Sequence, residues 1–211
     1  MHKIYHKFVI LFLLMLLGAT GYASVNNHEN SSIYQHPLSA KNITQFNQVQ
    51  TEQAKFYHIT GDFVQTRKMA LLSKPLVSTG TFQLIKAKGL IWQQKKPFAS
   101  KLVVTDDKIE QSIENNPPFV LTAKQQPIVF AFTRVFLSIF KGNTQAIKEY
   151  FNIYFTGDTK HWQLALVPKG SPLNKAIKSV EVTGGRYADS IVIHEAKGND
   201  MEIKFSKVVV K

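Results

Sequence analysis

The chain contains no cysteine. This absence excludes disulfides, thiolate metal ligands, a cysteine nucleophile and a cysteine for lipid attachment. The seven His residues are scattered, and none is paired at the spacing of metal ligands. Neither a G-x-S-x-G nucleophile motif nor a glycine loop for phosphate is present, and the neighbouring Asp106 and Asp107 are typical of a turn. We therefore predict a protein that is not an enzyme and that has no metal site and no cofactor.

Long hydrophobic runs are scarce as well. Residues 8–17 form an unbroken apolar run, which is too short for a membrane span of ~20 residues. Lys3 and Lys7 precede this run, and the small residues Gly21 and Ala23 follow it. The pattern is typical of a secretory signal peptide, so we expect residues 1–23 to be cleaved after Ala23 and the mature chain to be exported.

The chain is short of acidic residues, with 14 Asp and Glu against 26 Lys and Arg. Removal of residues 1–23 lowers the formal net charge only from +12 to +10. An exported protein seldom meets nucleic acid, so the charge favours anionic lipid head groups or an acidic protein as partners, and no nucleic acid. Residues 24–37 are polar and rich in Asn and His, which predicts a disordered lead-in. Residues 38–211 are long enough for a single domain with a real core.

Alternation between apolar and polar residues dominates this domain. We expect a helix from Ser39 to about Glu52, with Ser39 as its cap, and then a strand over 55–66 in which Gly61 is either a bulge or a point of close packing. Short turns separate the remaining strands, which are predicted over 80–97 (a hairpin), 101–105, 108–113, 150–156, 161–167, 175–183, 188–194 and 201–210. About ten strands and two helical insertions indicate a mainly β (α+β) fold. We predict a strongly curled antiparallel sheet, or incomplete β-barrel, with a helical lid.

The predicted lid is the segment 127–141. Pro127 and Gly142 bound it as they would bound a helix, and its apolar residues lie on nearly every side. A helix of this kind must be covered all round, so we expect it to lie across the open face of the curved sheet. Spanning a membrane is the alternative, but ~15 residues fall short of the length required. Asn143 is expected to cap a second, short helix over 144–149.

Fifteen Phe residues supply more apolar surface than the strands need for pairing. An ordinary core is one interpretation, and a cavity for hydrocarbon between sheet and lid is the other, which the lid helix favours. The predicted lining of this cavity is Phe82, Leu84, Leu90, Trp92 and Val103 from the sheet, and Phe130, Phe132, Phe136 and Phe140 from the lid. Arg134 is the one charge within the apolar part of the lid, and it either extends to solvent or latches the lid to sheet carbonyls.

Several short motifs follow one another in a fixed order. They are a helix followed by Phe63-Val64-Gln65, then Gly80, Leu90-Ile91-Trp92, Pro97, the Asp106-Asp107 hairpin, a helical insert and Phe151 to Tyr154. In the order and spacing of these motifs the chain resembles, over almost all of its mature length, the LolA-like periplasmic lipoprotein carriers. The resemblance implies an open, curled sheet with a helical lid, acting as a monomer in the periplasm. It also implies an acylated lipoprotein as cargo, an inner-membrane donor and an outer-membrane acceptor.

Two departures from the family pattern accompany the resemblance. Lys86-Ala87 stands where the family has an Arg-Pro pair whose Arg locks the lid, and Lys lacks the forked donors of Arg. We expect Lys86 to be a weaker latch. The chain also ends at Lys211, without the further strand and tail of typical carriers.

The leading expectation is a periplasmic carrier of lipoprotein acyl chains, or of another lipid-linked cargo. The alternatives are an interaction module of the envelope that binds an acidic partner or an anionic membrane, and an enzyme that acts on a lipid.

Overall fold

The computed structural model describes residues 32–70, 72–114, 116–125, 130, 133, 137, 138 and 144–211. Within these residues the chain forms one eleven-stranded sheet whose neighbouring strands are all antiparallel. The strands are β1 (His58–Lys68), β2 (Leu76–Ile85), β3 (Gly89–Lys96), β4 (Ser100–Val104), β5 (Lys108–Ile113), β6 (Phe119–Thr122), β7 (Phe151–Gly157), β8 (Trp162–Pro168), β9 (Ile177–Gly184), β10 (Ala188–Glu195) and β11 (Asp200–Val210). Helix α1 covers Ile43–Ala54, helix α2 covers Thr144–Tyr150, and short 3₁₀ turns cover Ser32–Gln35 and Leu173–Lys175.

The sheet consists of two meanders joined in the middle. Strands β1 to β6 follow one another on one side, strands β11 to β7 follow one another on the other, and β1 pairs with β11. Strands β6 and β7 stand at the two ends and are not paired with each other, so the sheet is unclosed. The predicted mainly β fold with an incomplete barrel is confirmed. The register of β1 against β11 shifts between Thr60 and Asp62, which confirms the bulge at Gly61.

One face of the sheet is apolar and buried along its whole width. Phe82 lies opposite Trp92, and Trp92 lies opposite Leu102, so the three side chains share this face. Ile191 on β10 is opposite both Val182 and Ile203 and continues the same face in the other meander. These side chains belong to a single buried cluster. Period-2 alternation has therefore placed the core on this face, which is the inner face of the sheet.

Helix α1 covers part of this inner face. Phe46 and Val49 are buried, and the ring of Phe46 meets that of Phe155 edge-on at 5.4 Å between centroids. The helix begins at Ile43, and Asn42, not Ser39, occupies the cap position. The predicted cap by Ser39 is wrong, because residues 39–42 form a turn in which Ser39 N donates to Asn42 Oδ1 at 2.8 Å.

Residues 32–37 are ordered, which corrects the predicted disordered lead-in for these positions. Ile33 is buried, and the backbone around Pro37 pairs with the outer edge of β7. Phe155 N donates to His36 O at 2.9 Å, and Leu38 N donates to Ile153 O at 2.8 Å. The remainder of the predicted lead-in and the predicted signal peptide lie outside the described residues.

Strand β6, the last strand of the first meander, is not among the strands that the sequence predicted. Strand β6 pairs with β5 over four residues. Beyond it, Phe130, Thr133 and Leu137 are helical and buried. Their spacing places them on one side of a helix, and Phe130 and Leu137 belong to the core cluster. Among the helices of the described residues, none has the length and hydrophobicity needed to cross a membrane.

Candidate functional site

Four aromatic rings form the centre of the inner face, where β1, β2, β3 and β11 run side by side. Phe63 and Trp92 are stacked, with 3.8 Å between centroids and 24° between planes. Phe205 meets Phe82 at 4.9 Å and stands edge-on to Trp92 at 6.3 Å. Offset and edge-to-face contacts of this kind add stability beyond that of the buried area, so these four rings, the aromatic floor, stabilise the centre of the sheet.

The aromatic floor continues as aliphatic surface toward β5. Leu84 and Leu90, two of the residues predicted to line a cavity, lie opposite each other and are buried in the core cluster. Val103 does not belong with them. It lies opposite Ile91, on the outer face, and is only half-buried. The correction follows from the register, because its two neighbours, Leu102 and Val104, point inward instead.

The predicted lid is described at four positions. Phe130 and Leu137 are buried in the same cluster as the aromatic floor, and Thr133 and Ser138 are buried as well. Apolar side chains of the connection therefore share one core with the inner face of the sheet. The other predicted lid residues, Phe132, Arg134, Phe136 and Phe140, lie outside the described residues.

Lys86, the second predicted latch residue, contacts a helix end. Its Nζ donates to the carbonyl oxygen of Ala54 at 2.7 Å, at the last residue of α1. A cation is favourable there, because the final carbonyls of a helix lack partners within the helix and carry partial negative charge. Lys86 thus ties the β2–β3 turn to α1 through one exposed hydrogen bond.

The inner face becomes polar toward the ends of β1 and β3. Gln65, Gln94 and Gln111 are buried there, and Gln94 Nε2 donates to the carbonyl of Phe98 at 3.1 Å. On the same face lies a buried ion pair between Arg67 and Glu195. The inner face therefore has an apolar centre and a polar margin.

A polar cluster lies on the outer face, beneath the first 3₁₀ turn. Tyr34 Oη donates to Glu181 Oε1 at 2.8 Å and lies 3.0 Å from Ser179 Oγ. His194 Nε2 is 3.5 Å from Glu181 Oε1, and its Nδ1 is 2.8 Å from Asp200 Oδ1. The hydrogen bond with Glu181, followed by that with Asp200, outweighs burial and raises the pKa of His194 above its ordinary value. The described residues show no group of three His, Asp or Glu side chains that could hold a metal ion.

A cleft of about 640 Å³ lies apart from the aromatic floor. It is bounded by the chain before α1, by the start of α1 and by residues 155–157 at the end of β7. Its lining mixes polar and apolar surface, and His36, Ser39, Lys41 and Asn42 contribute polar groups to it. The cleft does not coincide with the predicted acyl cavity.

Sequence reasoning missed several residues of the site. Phe63 is predicted only as part of a family motif, and Phe205 is not predicted as a site residue, although both side chains belong to the aromatic floor. Leu102 and Val104 were passed over in favour of Val103. Leu102 could have been identified from Trp92 by aligning the two predicted strands, because Trp92 and Leu102 are directly opposite in the register of β3 and β4.

A family model matches residues 39–202 of the chain, and its description is outer membrane lipoprotein carrier protein LolA-like. No curated protein sequence matches the chain at a significant level. The chain is also similar to solved structures, among them the following three. A LolA superfamily protein from Nitrosomonas europaea matches with a TM-score of 0.46 at 7% identity, covering 79% of this chain and 93% of that one.

The second structure is a putative outer membrane lipoprotein-sorting protein domain from Vibrio parahaemolyticus, with a TM-score of 0.43, 6% identity and coverage of 85% and 94%. The third is LprF from Mycobacterium bovis, with a TM-score of 0.40, 13% identity and coverage of 82% and 94%. The family model spans more than half of the sequence. The chain belongs to the family described as outer membrane lipoprotein carrier protein LolA-like.

Proposed function

We propose that this protein is a periplasmic carrier that shields acyl chains and moves them from the inner toward the outer membrane. The cargo is an acylated lipoprotein or a related lipid-linked product, taken from an inner-membrane donor and passed to an outer-membrane acceptor. The observation that supports this proposal most is the apolar inner face of an unclosed sheet, with the aromatic floor at its centre and Phe130 and Leu137 in the same core.

The topology supplies a way to admit cargo. Strands β6 and β7 are not hydrogen-bonded to each other, so the curl can widen there without breaking a strand ladder. The helical segment around Phe130 and Leu137 has no covalent tie to the sheet other than its two ends, because the chain has no disulfides. Displacement of this lid by an acyl chain replaces one apolar contact with another.

The energetics favour a hydrocarbon ligand. Burial of acyl chains contributes about 0.8 kcal/mol per CH₂. A sixteen-carbon chain therefore gains roughly 12 kcal/mol in gross terms, from which the cost of displacing the lid and of immobilising the ligand is subtracted. An acylated cargo with two or three chains can bind tightly with few polar contacts.

The chain offers an internal test, because it has two Trp residues, both buried. Trp92 lies in the aromatic floor, whereas Trp162 lies at the start of β8 and donates from Nε1 to Gly185 O at 2.7 Å. A fatty acid brominated in mid-chain quenches the fluorescence of Trp rings that it contacts. We would titrate it into Trp162→Phe, which reports Trp92, and into Trp92→Phe, which reports Trp162.

We expect saturable quenching in Trp162→Phe and little quenching in Trp92→Phe. Far-UV circular dichroism of both variants would show that the sheet is retained. Quenching in Trp92→Phe alone would indicate that the ligand binds near Trp162 and not at the aromatic floor. The absence of quenching in both variants, with the fold intact, would contradict the carrier proposal.

A further inference from the structure

One end of the sheet carries five of its connections. Because all neighbouring strands are antiparallel, the loops after β1, β3, β5, β8 and β10 lie on the same side. Hydrogen bonds link two of them directly, from Glu114 N to Ala99 O at 2.9 Å. We name this end the basic rim. The described residues of its loops are 69–70, 72–75, 97–99, 114, 116–118, 169–176 and 196–199.

The basic rim exposes large apolar side chains. Leu72 and Phe98 are 44% and 42% exposed in their loops, and Leu76 and Val77 at the start of β2 are 48% and 51% exposed. Strand β2 begins before its pairing with β3 begins, which is at Thr79. Leu76 and Val77 therefore pair with β1 but extend beyond β3, which leaves them exposed on that side.

Positive charge surrounds these apolar side chains. The exposed Lys residues in the rim loops and at the strand ends that enter them are Lys68, Lys74, Lys96, Lys169, Lys175 and Lys197. Among the described residues of the rim, Glu114 is an exposed acid, whereas Glu195 is buried against Arg67 and Asp200 is hydrogen-bonded to His194.

The turns at the opposite end of the sheet differ in charge. They contain Asp106, Asp107 and Asp158, which offset much of the positive charge of their own Lys and Arg residues. The excess of positive charge is therefore concentrated where the apolar loop tips are.

We infer that the basic rim docks on an anionic membrane surface. Leu72, Leu76, Val77 and Phe98 enter the interfacial region, and the surrounding Lys residues lie at the level of the lipid phosphates. Leu72, Leu76 and Val77 stand in the β1–β2 loop or directly after it, and Phe98 stands in the β3–β4 loop. Four apolar side chains among exposed Lys residues fit an anionic membrane interface, whereas a stable protein partner requires a complementary patch of about 800 Å². The inference does not depend on the carrier proposal, because docking needs no cargo in the cavity.

Flotation with phospholipid vesicles tests the inference on the mature chain without cargo. The probes are vesicles of phosphatidylglycerol with phosphatidylethanolamine, and neutral vesicles of phosphatidylcholine. The charge variant is Lys74→Glu with Lys96→Glu, and its matched control is Lys88→Glu with Lys160→Glu at the opposite end. The apolar variant is Leu72→Ser with Phe98→Ser, and its control is Tyr57→Ser with Val209→Ser, two side chains that are even more exposed.

We expect binding to the anionic vesicles, little binding to the neutral ones, and weakening as salt rises. Loss of two Lys contacts should weaken binding by roughly 30-fold or more, and the apolar variant by at least about ten-fold, while both controls bind like the natural chain. Equal losses in the controls, or no binding to anionic vesicles at low salt, would overturn the inference. Retained binding to poly-glutamate in the absence of vesicle binding would also overturn it, since the rim would then fit an acidic protein.

Discussion

A buried ion pair joins the two meanders of the sheet, and its removal should be costly. Arg67 Nη2 lies 2.5 Å from Glu195 Oε1, and the two side chains are only 7% and 3% exposed. Asn199 Nδ2 donates to the other carboxylate oxygen of Glu195 at 3.0 Å. Replacing either charged residue alone leaves its partner charged in a site that water scarcely reaches. The free energy of unfolding should fall by about 3–5 kcal/mol in each single variant.

Urea unfolding followed by Trp fluorescence would measure these changes. With a denaturant slope of about 2 kcal/mol per molar, Arg67→Met and Glu195→Leu should each lower the midpoint by roughly 1.5–2.5 M. The double variant removes both charges at once, so it should be more stable than the sum of the two single losses predicts. A cost below about 1 kcal/mol in each single variant, or strict additivity in the double variant, would refute this reasoning.

Three further predictions concern single substitutions. In Gly80→Ala, the new Cβ would lie 2.0 Å from Gln93 O on the neighbouring strand β3. The free energy of unfolding should therefore fall by about 3 kcal/mol. Calorimetry would show this loss as a melting temperature lower by roughly 6–12 °C. Tyr34→Phe removes the hydrogen bond to Glu181 and should cost about 1.5 kcal/mol in urea unfolding; an unchanged midpoint would contradict the assigned contact. The raised pKa of His194 means that its protonated form is favoured in the folded state, so this stabilisation is complete below pH ~6.5 and is lost as pH rises through the raised pKa. The loss in free energy of unfolding that His194→Gln causes should therefore be larger at pH 5.5 than at pH 8.5. A loss that grows with pH would contradict the raised pKa of His194.

Much of the fold could be predicted because the alternation is regular. Phe82 and Leu84 share a side of β2 with polar residues between them, and the structure places both inward. The run Leu102-Val103-Val104 is apolar throughout, so alternation alone could not select the inner side chains there. Only the register against β3 decides that Leu102 and Val104 are inside.

Other features depend on contacts that are distant in sequence. Ile33 belongs to a polar stretch and is ordered by packing near β7 and β8, which no local pattern predicts. The same holds for Arg67 and Glu195, which are 128 residues apart. Strand β6 was missed because four residues after a Pro-rich loop give too short a pattern. Ser39 was misassigned as a cap because Asn42, three residues later, has an equally suitable side chain and contacts Phe155 O at 2.8 Å.

The central claim is that the protein carries acyl chains, and mass spectrometry tests it most directly. The mature protein would be purified from its native envelope without detergent, measured under gentle conditions, and then extracted with organic solvent. The account predicts a co-purifying acylated species in near-stoichiometric amount, whose mass would distinguish a lipoprotein from another amphiphile. A protein that is empty and that also fails to take up a fluorescent acyl probe would contradict the account.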